Sequence, residues 1–197
     1  TAKARHLADS ASNAINDIDS VMRDLRDRRD DRHKVSLTTL HSFAYTWLIP
    51  RLPALVAAHP EIRLRIDTEL ALTRFDESGP DLGIRLGPGH WPGLSSQLLM
   101  DESLFPVAAP ALAGVAGVRA PRGVAALPLI AGLSHQGWHG WVRSNGVHGV
   151  DVDERIVFSD STDMLRGCSL GLGVALARER IVTPWLDSGQ LLRLPVP

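Results

Sequence analysis

The fold is decided by Val35-Ser-Leu-Thr-Thr-Leu-His-Ser-Phe-Ala-Tyr-Thr-Trp-Leu-Ile-Pro-Arg-Leu52, whose pattern is repeated downstream. Its first six residues are rich in Val, Leu and Thr and predict a β-strand. Ser42 can cap a helix that follows at once, in which apolar residues recur at helical spacing. Pro50 and Pro53 are expected to bend that helix or to split it. A strand followed directly by a helix is the unit from which α/β folds are built.

The same alternation continues along the rest of the chain. Strands are predicted at residues 63–70, 81–86, 127–131, 155–158 and 173–177. Residues 98–109 are expected to form one long extended stretch, broken by Pro106 and Pro110, and residues 181–185 and 191–194 to form short extended segments. Helices are predicted at residues 138–145 and from Ser159 or Ser161, either of which can be the cap, toward Gly171. Gly171-Leu-Gly173 closes that helix and precedes a strand, which indicates a helix C-terminus with a tight turn and not a nucleotide loop. The alternation predicts an α/β fold with mostly parallel sheets.

We expect two lobes in this fold. Residues 35–107, completed by about residues 186–197, form the first lobe, and residues 108–185 form the second. The two connections between the lobes are expected near residues 108–111 and 183–186.

Residues 1–34 differ from everything that follows, because they contain neither Gly nor Pro and are dense in Ala, Asp and Arg. Apolar residues recur there at alternating intervals of four and three, the seam of a coiled coil. We therefore expect a long N-terminal linker helix that pairs with a second copy of the chain. The alternative is a helix that packs on its own domain. The dimerisation residues predicted by the seam are Leu7, Ala11, Ala14, Ile18, Val21 and Leu25.

Composition limits the class of protein. The chain has 197 residues, of which 44% are hydrophobic and 22% charged, as in an ordinary globular domain. Its net charge of −1 does not suit a free-standing DNA-binding domain. Cys168 is the only cysteine, which excludes an internal disulfide and a cysteine-based zinc site and favours the cytosol. No apolar run approaches the ~18 residues of a membrane span, so no membrane partner is expected.

A series of short motifs follows in order from about residue 35 to residue 194: Ser42-Phe-Ala-Tyr-Thr-Trp-Leu-Ile-Pro-Arg-Leu52, His59-Pro60, Asp81-Leu-Gly-Ile-Arg85, Gly87, Trp91-Pro-Gly93, Leu104-Phe-Pro-Val107, Pro110, Phe158-Ser-Asp-Ser161 and Gly171-Leu-Gly-Val-Ala-Leu176. Together they resemble the effector-binding domain of LysR-type transcription regulators. The branch most resembled includes the activator of glycine cleavage and the regulator of inducible β-lactamase.

This resemblance implies a two-lobed effector domain of the periplasmic-binding-protein type II, with a ligand cleft between α/β lobes. It also implies a homodimer or tetramer that binds promoter DNA through a winged helix-turn-helix. Two departures are apparent: the winged helix-turn-helix is absent from this sequence, and the chain ends at Pro197, before a strand and helix that the family adds to the first lobe. We expect the chain to begin inside a longer protein.

Candidate effector-binding residues lie where predicted strands end. Ligands in such domains lie outside the carboxyl ends of strands, where helix N-termini present free N–H groups that suit a carboxylate. The first end offers Thr39, His41 and Ser42; the second offers Ser159, Asp160, Ser161 and Thr162; the third offers Arg85, His90 and Trp91.

Each candidate also has a purely structural interpretation. Ser42 and the 159–162 cluster can be plain helix caps, and His41 a surface turn residue. Arg85 can bind a carboxylate with its two-pronged guanidinium or form a structural salt bridge. Trp91 can line the ligand or seal the edge of a lobe. We expect a small carboxylate-bearing metabolite to bridge Ser42 and Ser161, while Asp160 can hold an amino group.

Other functions are less well supported by the sequence. The eight histidines lack the spacing of a zinc site, no Gly-x-Ser-x-Gly elbow is present, and no acid–base pair can be named. We therefore expect no catalysis, metal or cofactor. The main alternative is a solute-binding protein of a transport system, which would share the fold but would not need a coiled-coil helix.

Overall fold

A computed structural model describes residues 33–71, 75–76, 79–112, 114–133 and 137–196. The expected linker helix and its seam residues lie outside these ranges. The chain divides into two compact units. The first holds the described residues up to Thr39 together with Leu55–Arg85, and the second holds Leu40–Ala54 together with Leu86–Pro197. None of the helices in the described ranges is long and apolar enough to cross a lipid bilayer.

The first unit is built on a small parallel sheet. Its strands are β1 (Lys34–Thr39), β2 (Arg63–Thr68) and β3 (Leu82–Gly83), in the order β2-β1-β3. Strand β1 pairs in parallel with both neighbours, as the sequence predicted. The predicted strand at residues 81–86 is shorter than expected, because only Leu82 and Gly83 pair with β1.

A helical segment follows β1 and is divided into pieces. It consists of α1 (His41–Phe43), a π turn (Ala44–Leu48), a 3-10 turn (Ile49–Arg51) and α2 (Leu52–Ala58). In the π turn the Thr46 hydroxyl donates to the Ser42 carbonyl at 2.7 Å. Pro50 lies in the 3-10 turn and Pro53 in α2, where the segment returns to the α form. The segment is therefore divided into pieces of different helix type, while its backbone stays helical from His41 to Ala58.

The second unit contains a mixed sheet of five strands in the order β6-β5-β7-β4-β8. Its elements are β4 (Leu104–Ala108), a 3-10 turn (Val115–Gly117), α3 (Pro121–Ala125), β5 (Leu129–Gly132), α4 (Trp138–Ser144), β6 (Glu154–Phe158), α5 (Ser161–Ser169), β7 (Val174–Arg178), α6 (Glu179–Asp187) and β8 (Leu192–Arg193). Strands β6, β5 and β7 are parallel, whereas β4 runs antiparallel to β7 and β8.

Both faces of this sheet are covered by helices. Along β5, Leu129 and Ala131 pack into one buried cluster with residues of α3 and α4, whereas Ile130 packs into a second cluster with residues of α5 and α6. Alternate residues of a strand point to opposite faces, so each face has its own core. This arrangement explains the nearly continuous apolar runs of these strands, which are typical of sheets buried on both sides.

Cys168 lies in the second of these clusters and is completely buried. Its sulfur lies 3.4 Å from the carbonyl oxygen of Val107 and 3.2 Å from that of Gly173, and its single S–H can donate to either. Burial raises the pKa of the thiol to about 12, because the charged thiolate is poorly solvated there.

One prediction in this part of the chain was wrong. Residues 181–185 are not extended but form the middle of α6, with Ile181, Val182 and Trp185 on its buried face. The extended stretch predicted at residues 98–109 contains β4, whose pairing with β7 begins where Leu104 lies opposite Arg178.

The predicted lobe boundaries also differ from the two units. Helix α1 and the π turn belong to the second unit because they contact α5 and α6 there. Strand β4 belongs to the second unit because it pairs with β7 and β8. The expected division at residues 107 and 186 stays a prediction.

Candidate functional site

A small pocket opens in the second unit, where the parallel strands end. Strands β5, β6 and β7 all have their carboxyl ends at this edge of the sheet. The pocket has a volume of about 30 Å³ and is lined by residues that include Gly132, Trp138, Ser161, Met164, Leu176 and Arg178. The carboxyl edge of a parallel sheet is the usual place for a ligand in α/β proteins.

Ser161 is the first residue of α5, and the start of that helix forms part of the pocket. The sequence assigned the cap to Ser159 or Ser161, but the cap is Asp160, whose carboxylate accepts the backbone N–H of Thr162 at 2.7 Å. Asp160 has the extended backbone that a capping residue needs, and Ser161 is already helical. Ser161 therefore does not cap its own helix, and it is one of the residues that line the pocket.

Thr162 carries the buried side-chain oxygen that has no hydrogen-bond partner among the residues the structure describes. An unpaired buried hydroxyl is unfavourable in a folded protein, so a partner supplied by a bound molecule would stabilise it.

Arg178 is the charged residue of the pocket, and the sequence analysis missed it. It is the last residue of β7 and the residue before α6, and it is partly buried. Burial lowers the pKa of its guanidinium, and the negative charge of Glu102 acts in the opposite direction. The signal was present in the sequence, because Arg178 directly follows the predicted strand at residues 173–177, just as Arg85 ends an earlier one.

The segment before β4 fixes the backbone on which Arg178 sits. The Glu102 carboxylate accepts the backbone N–H of Arg180 at 3.1 Å, and the Ser103 carbonyl accepts the backbone N–H of Glu179 at 3.0 Å. The Ser103 hydroxyl donates to the Glu179 carboxylate at 2.8 Å. We call these four residues the β4–α6 bracket. It satisfies N–H groups at the start of α6, a helix whose own preceding residue provides no side-chain cap.

Trp138 forms an apolar wall of the pocket. It is 1% exposed, and its indole N–H donates to the Ile130 carbonyl at 2.9 Å. Trp141 packs edge-on against it with ring centroids 5.5 Å apart. Both tryptophans belong to the first buried cluster, and Trp138 in addition lines the pocket.

Ser42 and His41 lie at the start of the helical segment that follows β1. Helix α1 begins at His41 with Leu40 before it, and no side chain caps it, so the prediction that Ser42 is the cap was wrong. Ser42 is 5% exposed, whereas His41 is exposed and stacks on Tyr45. Helix α1 contacts α5, so Ser42 and Ser161 belong to the same unit.

Thr39 and Arg85 lie in the first unit and make hydrogen bonds within it. The buried Thr39 hydroxyl donates to the Ile84 carbonyl at 3.1 Å. Arg85 donates to the Thr38 hydroxyl at 2.8 Å and also to the Glu69 carbonyl. Burial lowers the pKa of Arg85, partly offset by the charge of Glu69. These contacts join the ends of β1, β2 and β3, and a ligand role for either residue stays a prediction.

His90 and Trp91 lie in a loop of the second unit. His90 is exposed, and Trp91 is half-buried against Gly87, where an added Cβ would lie 2.8 Å from the indole ring. The Ser96 hydroxyl donates to the Gly89 carbonyl at 2.6 Å and closes the loop on itself. Trp91 therefore packs within its own loop, and a ligand role for either residue stays a prediction.

Comparison with known proteins gives the family of this chain. The LysR substrate binding domain family matches residues 28–197. The chain belongs to this family. The resemblance inferred from the motifs is therefore confirmed, and LysR substrate binding domains are parts of transcription regulators.

Curated relatives of this LysR domain are transcriptional activators. The glycine cleavage system transcriptional activator of Escherichia coli strain K12 is 32% identical over 162 residues, which are 80% of this chain and 52% of that protein. The HTH-type transcriptional activator AmpR of Rhodobacter capsulatus is 32% identical over 158 residues, 80% of this chain and 53% of that protein. The chain thus spans about half the length of the curated relatives it matches.

Solved structures agree with this assignment. The effector domain of the transcriptional regulator AmpR of Pseudomonas aeruginosa superposes with a TM-score of 0.69 at 29% identity, covering 82% of this chain and 78% of that one. The matching LysR effector domains have the type II periplasmic-binding-protein-like fold, so the predicted fold class is confirmed. The comparisons favour a regulator over the solute-binding protein that was the main alternative.

Proposed function

We propose that this LysR domain senses a small carboxylate-bearing effector, and that it binds the effector at the carboxyl edge of the five-stranded sheet. The observation that carries the proposal is the pocket that Ser161 and Arg178 share with the apolar wall of Trp138. A hydroxyl and a guanidinium are together suited to a carboxylate. An apolar wall adds contact with the rest of a small metabolite.

The observations that support the predicted effector-binding residues differ from one residue to the next. Ser161 has the strongest support, because it lines the pocket. Ser42 is supported by the contact between α1 and α5, and Thr162 by its unpaired buried hydroxyl. The remaining proposed contacts are Thr39, His41, Arg85, His90, Trp91, Ser159 and Asp160.

A thermal-shift screen of carboxylates, amino acids and cell-wall fragments tests the proposal. At one hundred times its dissociation constant, a ligand that binds only the folded state adds about 2.7 kcal/mol, which raises Tm by roughly 5–10 °C for a chain of this size. Ser161→Ala should weaken the hit. Ser169→Ala is the matched control, since Ser169 ends the same helix and its hydroxyl donates to the Arg166 carbonyl. Equal affinities in the two variants would refute this location of the site.

We further propose that the chain self-associates as a dimer or tetramer through the predicted linker helix. Static light scattering should give a mass above that of one 21.4 kDa chain. Ile18→Asp, on the predicted seam, should reduce that mass, and Ser20→Asp, two residues away and off the seam, should not. A monomer at high concentration without any substitution would contradict the proposal.

We propose in addition that the whole regulator binds promoter DNA through a further domain and works in the cytoplasm. The names of the relatives support this, because they are transcriptional activators and one group is described as HTH-type. A gel-shift assay of the full-length regulator on its own promoter region, with and without the ligand from the screen, tests it. DNA binding that the ligand leaves unchanged would contradict a sensing role.

A further inference from the structure

We infer that Arg178 is the residue that selects a negatively charged ligand in the pocket, through its guanidinium group at the carboxyl end of β7. The inference rests on the proposed function and deepens it, because it names the group that distinguishes a carboxylate from a neutral molecule of the same shape.

The first support is position. Arg178 ends β7, next to β5 in the sheet, and it lines the same pocket as Ser161 and Trp138. The other lining side chains named above are uncharged. A planar guanidinium can donate two parallel hydrogen bonds to one carboxylate, whereas a serine hydroxyl donates only one. The guanidinium therefore contributes most of the preference for charge.

The second support is the fixed backbone around Arg178. Strand β7 is hydrogen-bonded to β4 on one side, where Arg178 lies opposite Leu104. On the C-terminal side, the β4–α6 bracket holds the next two residues. A side chain that projects from a backbone fixed on both sides loses little further freedom when it binds a ligand, and such preorganisation increases affinity.

The third support is the environment of the charge. Burial lowers the pKa of Arg178, and Glu102 opposes that effect. A bound anion would stabilise the charged form of this partly buried guanidinium. It would stabilise an exposed arginine less, because water screens the interaction more strongly there. Arg180, two residues later, is exposed and provides the comparison.

The test uses the 197-residue chain with acetate as the probe and acetamide as its neutral counterpart, at constant ionic strength. Tryptophan fluorescence follows binding, since Trp138 lines the pocket. Arg178→Gln should weaken acetate binding by about tenfold or more, the loss expected for a hydrogen bond to a charged group, and should leave acetamide binding unchanged. Arg178→Lys keeps the charge without the planar fork and should lose less. Arg180→Gln is the matched control and should bind both probes within about twofold of the unsubstituted chain.

Two results would overturn the inference. One is acetate affinity that is equal in Arg178→Gln and Arg180→Gln, with thermal melting showing that both are folded. The other is the absence of any saturable response of the unsubstituted chain to acetate. If Arg178→Gln does not fold, the comparison uses Arg178→Lys and the unsubstituted chain. The inference is refuted if each of these two proteins binds acetate and acetamide with the same affinity. A metabolite whose binding depends on Ser161 but not on Arg178 would leave the proposed function standing and reject this inference alone.

Discussion

Replacing Gly173 by alanine should destabilise the second unit, because the backbone of a neighbouring strand occupies the space that a side chain would need. An added Cβ would lie 2.7 Å from the Pro128 carbonyl oxygen and 3.1 Å from the Cγ2 atom of Ile130. That carbonyl oxygen also accepts the Val174 backbone N–H at 2.8 Å, which is where β7 begins to pair with β5. The carbonyl therefore cannot move away without weakening a hydrogen bond of the sheet.

The magnitude follows from the overlap. Ordinary van der Waals contacts of a Cβ begin at 3.4 Å, so the 2.7 Å contact at Gly173 must lengthen by about 0.7 Å. Overpacking of a core typically costs about 1–3 kcal/mol. Alanine in place of glycine also restricts the conformations of the unfolded chain, which raises the free energy of unfolding by ~0.4–1 kcal/mol. We expect a net loss of roughly 1–2 kcal/mol in the free energy of unfolding, which lowers Tm by about 2–8 °C.

Gly140→Ala is the matched control for this measurement. Gly140 lies in α4, and an added Cβ there meets nothing within 4 Å. The same substitution should therefore stabilise the chain by ~0.4–1 kcal/mol. Urea unfolding followed by circular dichroism, with thermal melting as a second readout, gives both values. Unfolding midpoints that coincide for the two variants, or a Gly173→Ala midpoint above that of the parent chain, would refute the steric reasoning.

Three further predictions concern single polar groups. Hydrogen bonds from the backbone N–H and hydroxyl of Ser36, each 2.7 Å long, lower the pKa of Asp81 from 3.8. Asp81→Asn should thus lower stability at pH 7, and the difference from the parent chain should shrink as the pH falls below 3.8; a constant difference in urea midpoint from pH 7 to pH 3 would contradict this. Glu102→Ala removes the acceptor for the Arg180 N–H and should cost about 1 kcal/mol in urea unfolding, whereas Glu102→Gln keeps an acceptor oxygen and should cost less; equal midpoints for both would contradict the bracket. Cys168 should not react with Ellman's reagent at pH 8 until denaturant is added, because the thiol is buried and its pKa is raised to about 12; stoichiometric labelling in native buffer within minutes would contradict its burial.

Local patterns allowed the regular elements of the chain to be predicted. The alternation of charged and apolar residues at 63–70 predicted β2 because successive side chains of a strand face opposite sides. Gly171 was expected to end α5, and it has a φ of +82°, which glycine adopts more easily than other residues. Both features depend on a few neighbouring residues, so the sequence alone was sufficient.

The prediction for α6 was wrong because two local signals disagreed. Ile181, Val182 and Trp185 have helical spacing, but Pro184 lies among them, and proline is uncommon in the interior of a helix. The start of the helix is held by residues 102 and 103, which lie 76 or more positions earlier in the chain. Such a long-range contact leaves no trace in a short window of sequence.

The position of Arg178 could not be predicted for a similar reason. Its pocket exists because β5, β6 and β7 are neighbours and because β4 pairs antiparallel beside them. The sequence predicted the strands, but it did not predict their order in the sheet. An arginine at the end of a predicted strand was therefore recognisable as a candidate ligand-binding residue, as Arg85 was. Deciding whether Arg85 or Arg178 lines the pocket required the order of the strands in the sheet.

The burial of Cys168 has a practical consequence for studying this chain. Because it is the only cysteine in the sequence and its thiol is enclosed by the second buried cluster, a cysteine introduced at an exposed position would be the one site that a maleimide dye modifies in the native protein. Donor and acceptor dyes attached at two such positions, one in each unit, would report through energy transfer whether a ligand changes the separation of the units, without any need to remove the native residue.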